Sequence, residues 1–122
     1  MATVLTSYQE AAAFRADQFM PVPIAGNERG RVVLICFEPG QFIPVHHPEV
    51  DMTLVILEGE GGLVAGDQEQ PFRAGTIAFI PAGENRGVKA ESRVVAVHVV
   101  SPPPTSDDHA QVVAGLHAGV CR

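Results

Sequence analysis

The chain of 122 residues is long enough for one domain with a single hydrophobic core. Its hydrophobic content of 46% excludes a disordered chain, and its formal net charge of −6 argues against nucleic acid or an anionic membrane as the main partner. No apolar run approaches the roughly 20 residues that a membrane-spanning helix needs. Because the N-terminus lacks the pattern of a signal peptide, we expect a single cytoplasmic domain over 1–122.

Helix and turn signals open the chain. Ser7 and Glu10 match a capping box, which predicts a short helix over about 7–16. Pro21 and Pro23 then allow at most an edge strand, because proline lacks the backbone donor that a central strand needs. Apolar runs follow, bounded by glycine- and proline-rich turns, at 31–37, 53–57, 63–65, 76–80 and 94–100. Short strands at such intervals predict an all-β sandwich or barrel over about 19–101.

The stretch after Pro104 changes character. Thr105 and Asp108 can cap a second helix. Beyond them, apolar residues and two histidines recur at helical spacing, namely His109, Val112, Val113, Leu116, His117 and Val120. This pattern predicts an amphipathic helix over about 105–118, packed on the barrel or on a partner. His109 and His117 are too far apart for an i, i+4 metal pair, so neither histidine receives a role.

The spacing of the turns and histidines resembles the two signature motifs of the cupin superfamily. The residues that carry this resemblance are Gly40, His46-His47, Gly59, Gly75 and Pro81-Ala82-Gly83. The resemblance covers about 31–101 and implies a cupin-type double-stranded β-helix, which is a jelly-roll barrel, with short terminal helices. It also implies an interior pocket as the working site. The glycines and Pro81 are scaffold residues, because their backbone conformations close the turns.

Cupins typically hold a divalent metal with two histidines, one glutamate and a third histidine. In this sequence His46 stands at the first histidine, Met52 at the glutamate and Arg86 at the last histidine. The second histidine falls on Pro48 or, in another register, on His47. A thioether is a poor ligand for hard or borderline metals, and a guanidinium repels them. The usual metal site is therefore expected to be degenerate.

His98 is the other notable histidine, since it lies in an apolar run. Alternation places it on the same face as Ala96 and Val100, so an interior face would bring it into the pocket with His46. His46 and His98 are then candidate catalytic acid–base groups. With His47, if a bulge turns its side chain, they are also candidate ligands for Zn, Ni, Fe or Mn. A buried histidine with a purely structural partner is the other interpretation.

Arg86 and Met52 are the candidate ligand-binding residues, because the resemblance places both in the barrel interior. A buried guanidinium must be paired, since an isolated buried charge is too costly. Arg86 either pairs structurally with Glu49, Asp51 or Glu58 or holds the carboxylate or phosphate of a small ligand.

Three functions stay open at this point. The first is a small cupin barrel that binds a small, anionic organic molecule in its pocket. The second is a metal-dependent enzyme of the dioxygenase or isomerase type with an unusual histidine set. The third is a non-catalytic, ligand-sensing dimeric module. The fold does not decide among them, and no cofactor follows with certainty from the residues.

The resemblance further implies a homodimer. The apolar residues of the run 31–37 are expected to leave one face for a partner or for the C-terminal helix to cover. We expect that outer face to carry Val33, Ile35 and Phe37, opposite Val32, Leu34 and Cys36.

Overall fold

A computed structural model describes residues 3–103 and 111–116 of the chain. Helix α1 covers Tyr8–Ala11. The strands are β1 (Met20–Asn27), β2 (Gly30–Phe37), β3 (Phe42–His46), β4 (Asp51–Glu58), β5 (Glu60–Ala65), β6 (Gln68–Arg73), β7 (Ile77–Ile80), β8 (Arg86–Ala90) and β9 (Val94–Ser101). Residues 111–116 are helical.

The strands form two antiparallel sheets. One has the order β1-β2-β9-β4-β7, and the other has the order β3-β8-β5-β6. Their inner faces share one core, in which the side chains of Phe37, Ile56 and Ile80 are almost completely buried. The predicted all-β jelly-roll barrel is confirmed, and β1 is the edge strand that its two prolines require.

Both faces of β2 are apolar. The face that we expected to point outward points into the barrel, and the other face points outward. Val33, Ile35 and Phe37 face the interior, so their predicted place on an outer face is wrong. Leu34 and Cys36 lie on the outer face, in a second cluster with side chains of α1 and β1. Because the chain's own N-terminal segment covers that face, both sides of β2 are buried and periodicity alone does not distinguish them.

The turn glycines have the scaffold role that the motif spacing predicts. Gly59 has φ +93°, a conformation that side-chain-bearing residues rarely adopt. A Cβ on Gly59 would also overlap the carbonyl oxygen of Arg93, which lies just before β9. This turn therefore requires glycine both for its backbone angle and for the close approach of the chain.

Helix α1 is shorter than the predicted 7–16, and the described part of the predicted C-terminal helix is 111–116. Ser7 caps α1, because its hydroxyl oxygen accepts a hydrogen bond from the Glu10 amide at 3.2 Å, but the helix ends at Ala11. Val112 and Leu116 of the 111–116 helix pack against the core. His109 and His117 lie outside the described residues. Within 3–103 and 111–116, no helix is long and apolar enough to cross a membrane.

Candidate functional site

A pocket of about 310 Å³ lies between the inner faces of the two sheets. Its wall is mostly apolar. Val33 of β2, Leu54 of β4 and Ala96 of β9 are among the side chains that face it. The polar side chains that line the pocket are Arg31, His46, Arg86 and His98. All four are basic types, and no acidic side chain of the described residues lines the pocket.

His98 lies in the pocket wall, on the interior face that strand alternation indicated. It pairs in register with Val33 of β2 and with Leu54 of β4, and both neighbours also face the pocket. Burial lowers the pKa of His98 to about 4, and the nearby charges of Arg86 and His46 add to this shift. His98 is therefore a neutral imidazole at pH 7.

His46 ends β3 and stands directly opposite Arg86 of β8. Its Nδ1 donates a hydrogen bond of 2.9 Å to the carbonyl oxygen of Pro44. Since a carbonyl only accepts, Nδ1 carries a proton in this arrangement. This hydrogen bond fixes the orientation of the imidazole ring.

The neighbouring His47 does not join the pocket. Its side chain is exposed, and its backbone amide donates a hydrogen bond of 3.1 Å to the side-chain oxygen of Gln111. The register of β3 against β8 is irregular between Ile43 and His46, yet this irregularity does not turn both histidines inward. The structure thus brings His46, Met52, Arg86 and His98 together and leaves His47 outside.

Arg86 is 3% exposed and lies in the pocket wall. Its Nη2 donates to the carbonyl oxygen of Pro81 at 2.9 Å and, at a longer 3.4 Å, to that of Ile80. Its Nε donates to the carbonyl oxygen of Glu84 at 3.4 Å. These carbonyls belong to the end of β7 and the turn that leads to β8. These bonds fix the orientation of the guanidinium.

The carboxylates considered as structural partners of Arg86 lie at the surface. Glu49, Asp51 and Glu58 are all exposed. Asp51 accepts a hydrogen bond of 2.9 Å from the amide of Ala82, so this carboxylate stabilises the turn from its outer side.

Comparison with known proteins decides the family. The family model described as Cupin domain matches residues 33–101, which is more than half of the chain. The chain belongs to the cupin family. A search of curated proteins gave no match for this cupin.

Several solved structures resemble this cupin closely in fold. The protein TT1209 from Thermus thermophilus is 30% identical, with a TM-score of 0.79 over 84% of this chain and 100% of that chain. An RmlC-like cupin from Desulfovibrio desulfuricans is 28% identical, with a TM-score of 0.75 over 84% and 99% of the two chains. KdgF from a Halomonas species is 14% identical, with a TM-score of 0.72 over 84% and 94%, which shows a likeness of fold alone.

Among the described residues, the donor set does not match the family's metal site. In residues 3–103 and 111–116, no three His, Cys, Asp or Glu side chains are grouped so that they could hold a metal ion. The pocket offers the imidazoles of His46 and His98, and the guanidinium of Arg86 stands beside them. A fixed positive charge next to two imidazoles opposes a divalent cation.

Sequence reasoning missed one polar residue of the pocket. Arg31 lies at the start of β2, two residues before Val33 in the row that faces inward, and it lines the pocket. The alternation of β2 carried the necessary signal, but the inward face was assigned to the wrong set of residues.

Proposed function

We propose that this cupin binds a small organic anion in its interior pocket, with Arg86 as the anchor for the anionic group. The observation that supports the proposal is the basic character of the side chains that line the pocket. Among the described residues, every polar side chain that lines it is an arginine or a histidine, although the chain as a whole has a formal net charge of −6. A basic, mostly apolar cavity in an acidic protein favours a ligand with an apolar body and a negatively charged end.

Arg86 suits this role because its guanidinium is buried in the pocket wall. The carbonyl oxygens of Ile80, Pro81 and Glu84 restrict its orientation, which reduces the side-chain entropy lost when a ligand binds. A planar guanidinium can donate two hydrogen bonds to the two oxygens of a carboxylate. These charge-assisted hydrogen bonds are stronger in the low-dielectric interior of a protein than in water. The cavity of about 310 Å³ holds roughly ten water volumes. A ligand of about ten non-hydrogen atoms fits this space.

His46 and His98 supply the pocket's hydrogen-bonding and acid–base capacity. If the ligand is a substrate, His46 is the proposed base, because the Pro44 carbonyl that accepts from Nδ1 also stabilises the imidazolium formed when Nε2 takes a proton. His98 stays neutral at pH 7, so it donates one hydrogen bond or accepts one without adding charge.

The test is a titration of small monocarboxylates against the wild type and Arg86→Gln, followed by heteronuclear NMR. Loss of a charge-assisted hydrogen bond is expected to weaken binding by about tenfold or more. Arg73→Gln is the matched control, because Arg73 is exposed and does not line the pocket. Arg86→Lys keeps the charge and is expected to bind with intermediate affinity. Equal carboxylate affinity in folded wild type and Arg86→Gln would refute the anchor.

The competing function is a metal-dependent enzyme in which His46 and His98 hold a divalent metal with a ligand from outside the pocket. It predicts stoichiometric Zn, Ni, Fe or Mn in protein purified without nickel resin, and loss of that metal in His46→Ala. The anion-binding proposal predicts only traces of metal and an unchanged trace in the variant. Elemental analysis of the two proteins separates the two functions.

We further propose that a second copy of the chain covers the outer face of the β4–β7–β9 region. Ile77, Phe79 and Val99 are 72%, 62% and 43% exposed. Thr53 pairs with Phe79 on one side and with Val99 on the other, so these side chains form one continuous surface. Because they are uncharged and lie beside the edge strand β7, two copies related by a two-fold axis can pack this surface against itself. A ligand-sensing dimer would use both this surface and the pocket.

A further inference from the structure

The helix at 111–116 supplies one wall of the pocket. Val112 lines the cavity, and Val112 and Leu116 both pack against the core. Val113 and Ala114, by contrast, are exposed. One side of the helix therefore faces the pocket and the core, and this wall belongs to neither β-sheet.

A hydrogen bond fastens this helix beside His46. The side-chain oxygen of Gln111 accepts a bond of 3.1 Å from the backbone amide of His47. His47 directly follows His46, which ends β3 and lines the pocket. The bond joins two segments that are 64 residues apart in the chain, and it places the helix at the end of β3.

The helix is attached to the barrel more weakly than the strands are attached to one another. Val112 and Leu116 are only half-buried. Among the described residues, the Gln111–His47 bond is the one hydrogen bond that joins this helix to the barrel, and no ion pair does. Strands that line the pocket, such as β2, β4 and β9, are instead held by ladders of backbone hydrogen bonds. A segment with few buried apolar contacts opens at a lower free energy than the whole fold does.

The residue types of the helix also favour opening. Val112 and Val113 are β-branched and lose side-chain freedom in a helix, and Gly115 has a lower helix propensity than most residues. The helical state of this segment therefore depends on its contacts with the barrel. Loss of those contacts opens the pocket on this side without breaking a strand ladder.

We propose that the helix at 111–116 is a lid of the pocket. It leaves the barrel to admit a ligand, and it returns so that Val112 contacts the bound molecule and Gln111 bonds again to the His47 amide. This inference rests on the proposed function only in that a small molecule binds in the pocket, and it adds a contact that regulates access. The charge of the ligand plays no part in it.

The first experiment measures association and dissociation rate constants by NMR line-shape analysis with two probes, hexanoate and the uncharged benzene. Benzene suits a mostly apolar cavity of about 310 Å³. Gln111→Ala removes the acceptor of the His47 amide and is expected to open the lid about fivefold more often, which is the effect of one hydrogen bond. Because the lid opens both for entry and for exit, both rate constants are expected to rise about fivefold while Kd is unchanged.

Val113→Thr is the matched control for this variant. Val113 is on the same helix, is exposed and does not line the pocket, so its replacement is expected to leave both rate constants unchanged. Equal rate constants in wild type and Gln111→Ala would overturn the lid. A change in the dissociation rate alone would also overturn it, because that result indicates an ordinary binding contact.

The second experiment uses the His47 amide as a reporter of lid opening. Its exchange with water is expected to slow about tenfold at a benzene concentration of about ten times Kd, because the occupied pocket keeps the lid closed. The Glu10 amide, which donates to the Ser7 hydroxyl oxygen in α1, is the control and is expected not to respond. An unchanged exchange rate of the His47 amide in saturating benzene would contradict the lid.

The two probes separate failure of the lid from failure of the proposed function. Hexanoate affinity that is equal in wild type and Arg86→Gln refutes the anion anchor, whereas benzene kinetics that respond to Gln111→Ala still support the lid. The reverse pair of results refutes the lid and leaves the anchor standing. If the wild type binds neither probe, both proposals fail.

Discussion

Acidification from pH 7 to pH 5 is expected to destabilise this cupin through His98. Burial in the pocket wall, with the charges of Arg86 and His46 nearby, lowers the pKa of this imidazole from 6.5 to about 4. Below pH 6.5 the unfolded chain binds a proton at this position, whereas the folded protein does not until about pH 4. The contribution of His98 to stability is therefore present above pH 6.5 and is lost as the pH falls from 6.5 to about 4.

The size of the effect follows from the difference between the two pKa values. A shift from 6.5 to about 4 corresponds to roughly 3 kcal/mol when the pH is below both values. At pH 5 the unfolded imidazole is almost fully protonated, and the expected loss relative to pH 7 is about 2 kcal/mol. Asp17, whose pKa is lowered mainly by its hydrogen bond to Arg15, does not contribute here, because its ordinary pKa of 3.8 already lies below the window.

The assay is urea unfolding at pH 7 and pH 5, followed by far-UV circular dichroism because the chain has no tryptophan and one tyrosine. His98→Gln removes the titrating ring and is expected to lose about 2 kcal/mol less than the wild type between the two pH values. His47→Gln is the matched control, since it removes an exposed histidine that does not line the pocket. The same loss in wild type and His98→Gln would refute the assignment of His98 as a buried neutral imidazole.

Two further predictions concern the turn scaffold and the outer face. Gly59→Ala is expected to destabilise the fold by roughly 2 kcal/mol or more, because a Cβ at φ +93° would overlap the Arg93 carbonyl oxygen. Gly66 also has a positive φ, but the space around it is open. Gly66→Ala in the same urea assay therefore measures the backbone strain without the overlap. Phe79→Glu is expected to convert a dimer to a monomer in light scattering, because it places a charge in the exposed apolar surface. A monomeric wild type would contradict the dimer, and a dimeric Phe79→Glu would contradict the surface assigned to it.

The strands that were predicted from the sequence are those with apolar runs between turn residues. β2, β4, β5, β7 and β9 each overlap one of the five predicted runs. β6 has no such run, because it is the edge strand of its sheet and buries only Phe72. Its Pro71 is tolerated there, since an edge strand leaves one side without ladder hydrogen bonds. β8 was not recognised either, because Gly87 and Lys89 interrupt its apolar residues.

The positions of the candidate site residues can be compared with the structure, whereas their roles stay predictions. His46, Met52, Arg86 and His98 all line the pocket, as the motif positions and strand alternation indicated. His47 lies outside it, because adjacent strand residues point to opposite faces. Arg31 was missed because both faces of β2 are buried. The hydrophobic periodicity therefore does not indicate which face lines the pocket.

The replacements at Met52 and Arg86 together explain why the proposed ligand is an anion. In the family pattern these positions hold a glutamate and a histidine, which converge with other imidazoles on a cation. Methionine removes the glutamate's negative charge, and arginine adds a positive charge where a neutral ligand stood. Both changes make the pocket more positive, and Arg86 contributes to the lowered pKa of His98. The proposal therefore depends on the charges at these two positions, because they determine whether the same cavity favours a cation or an anion.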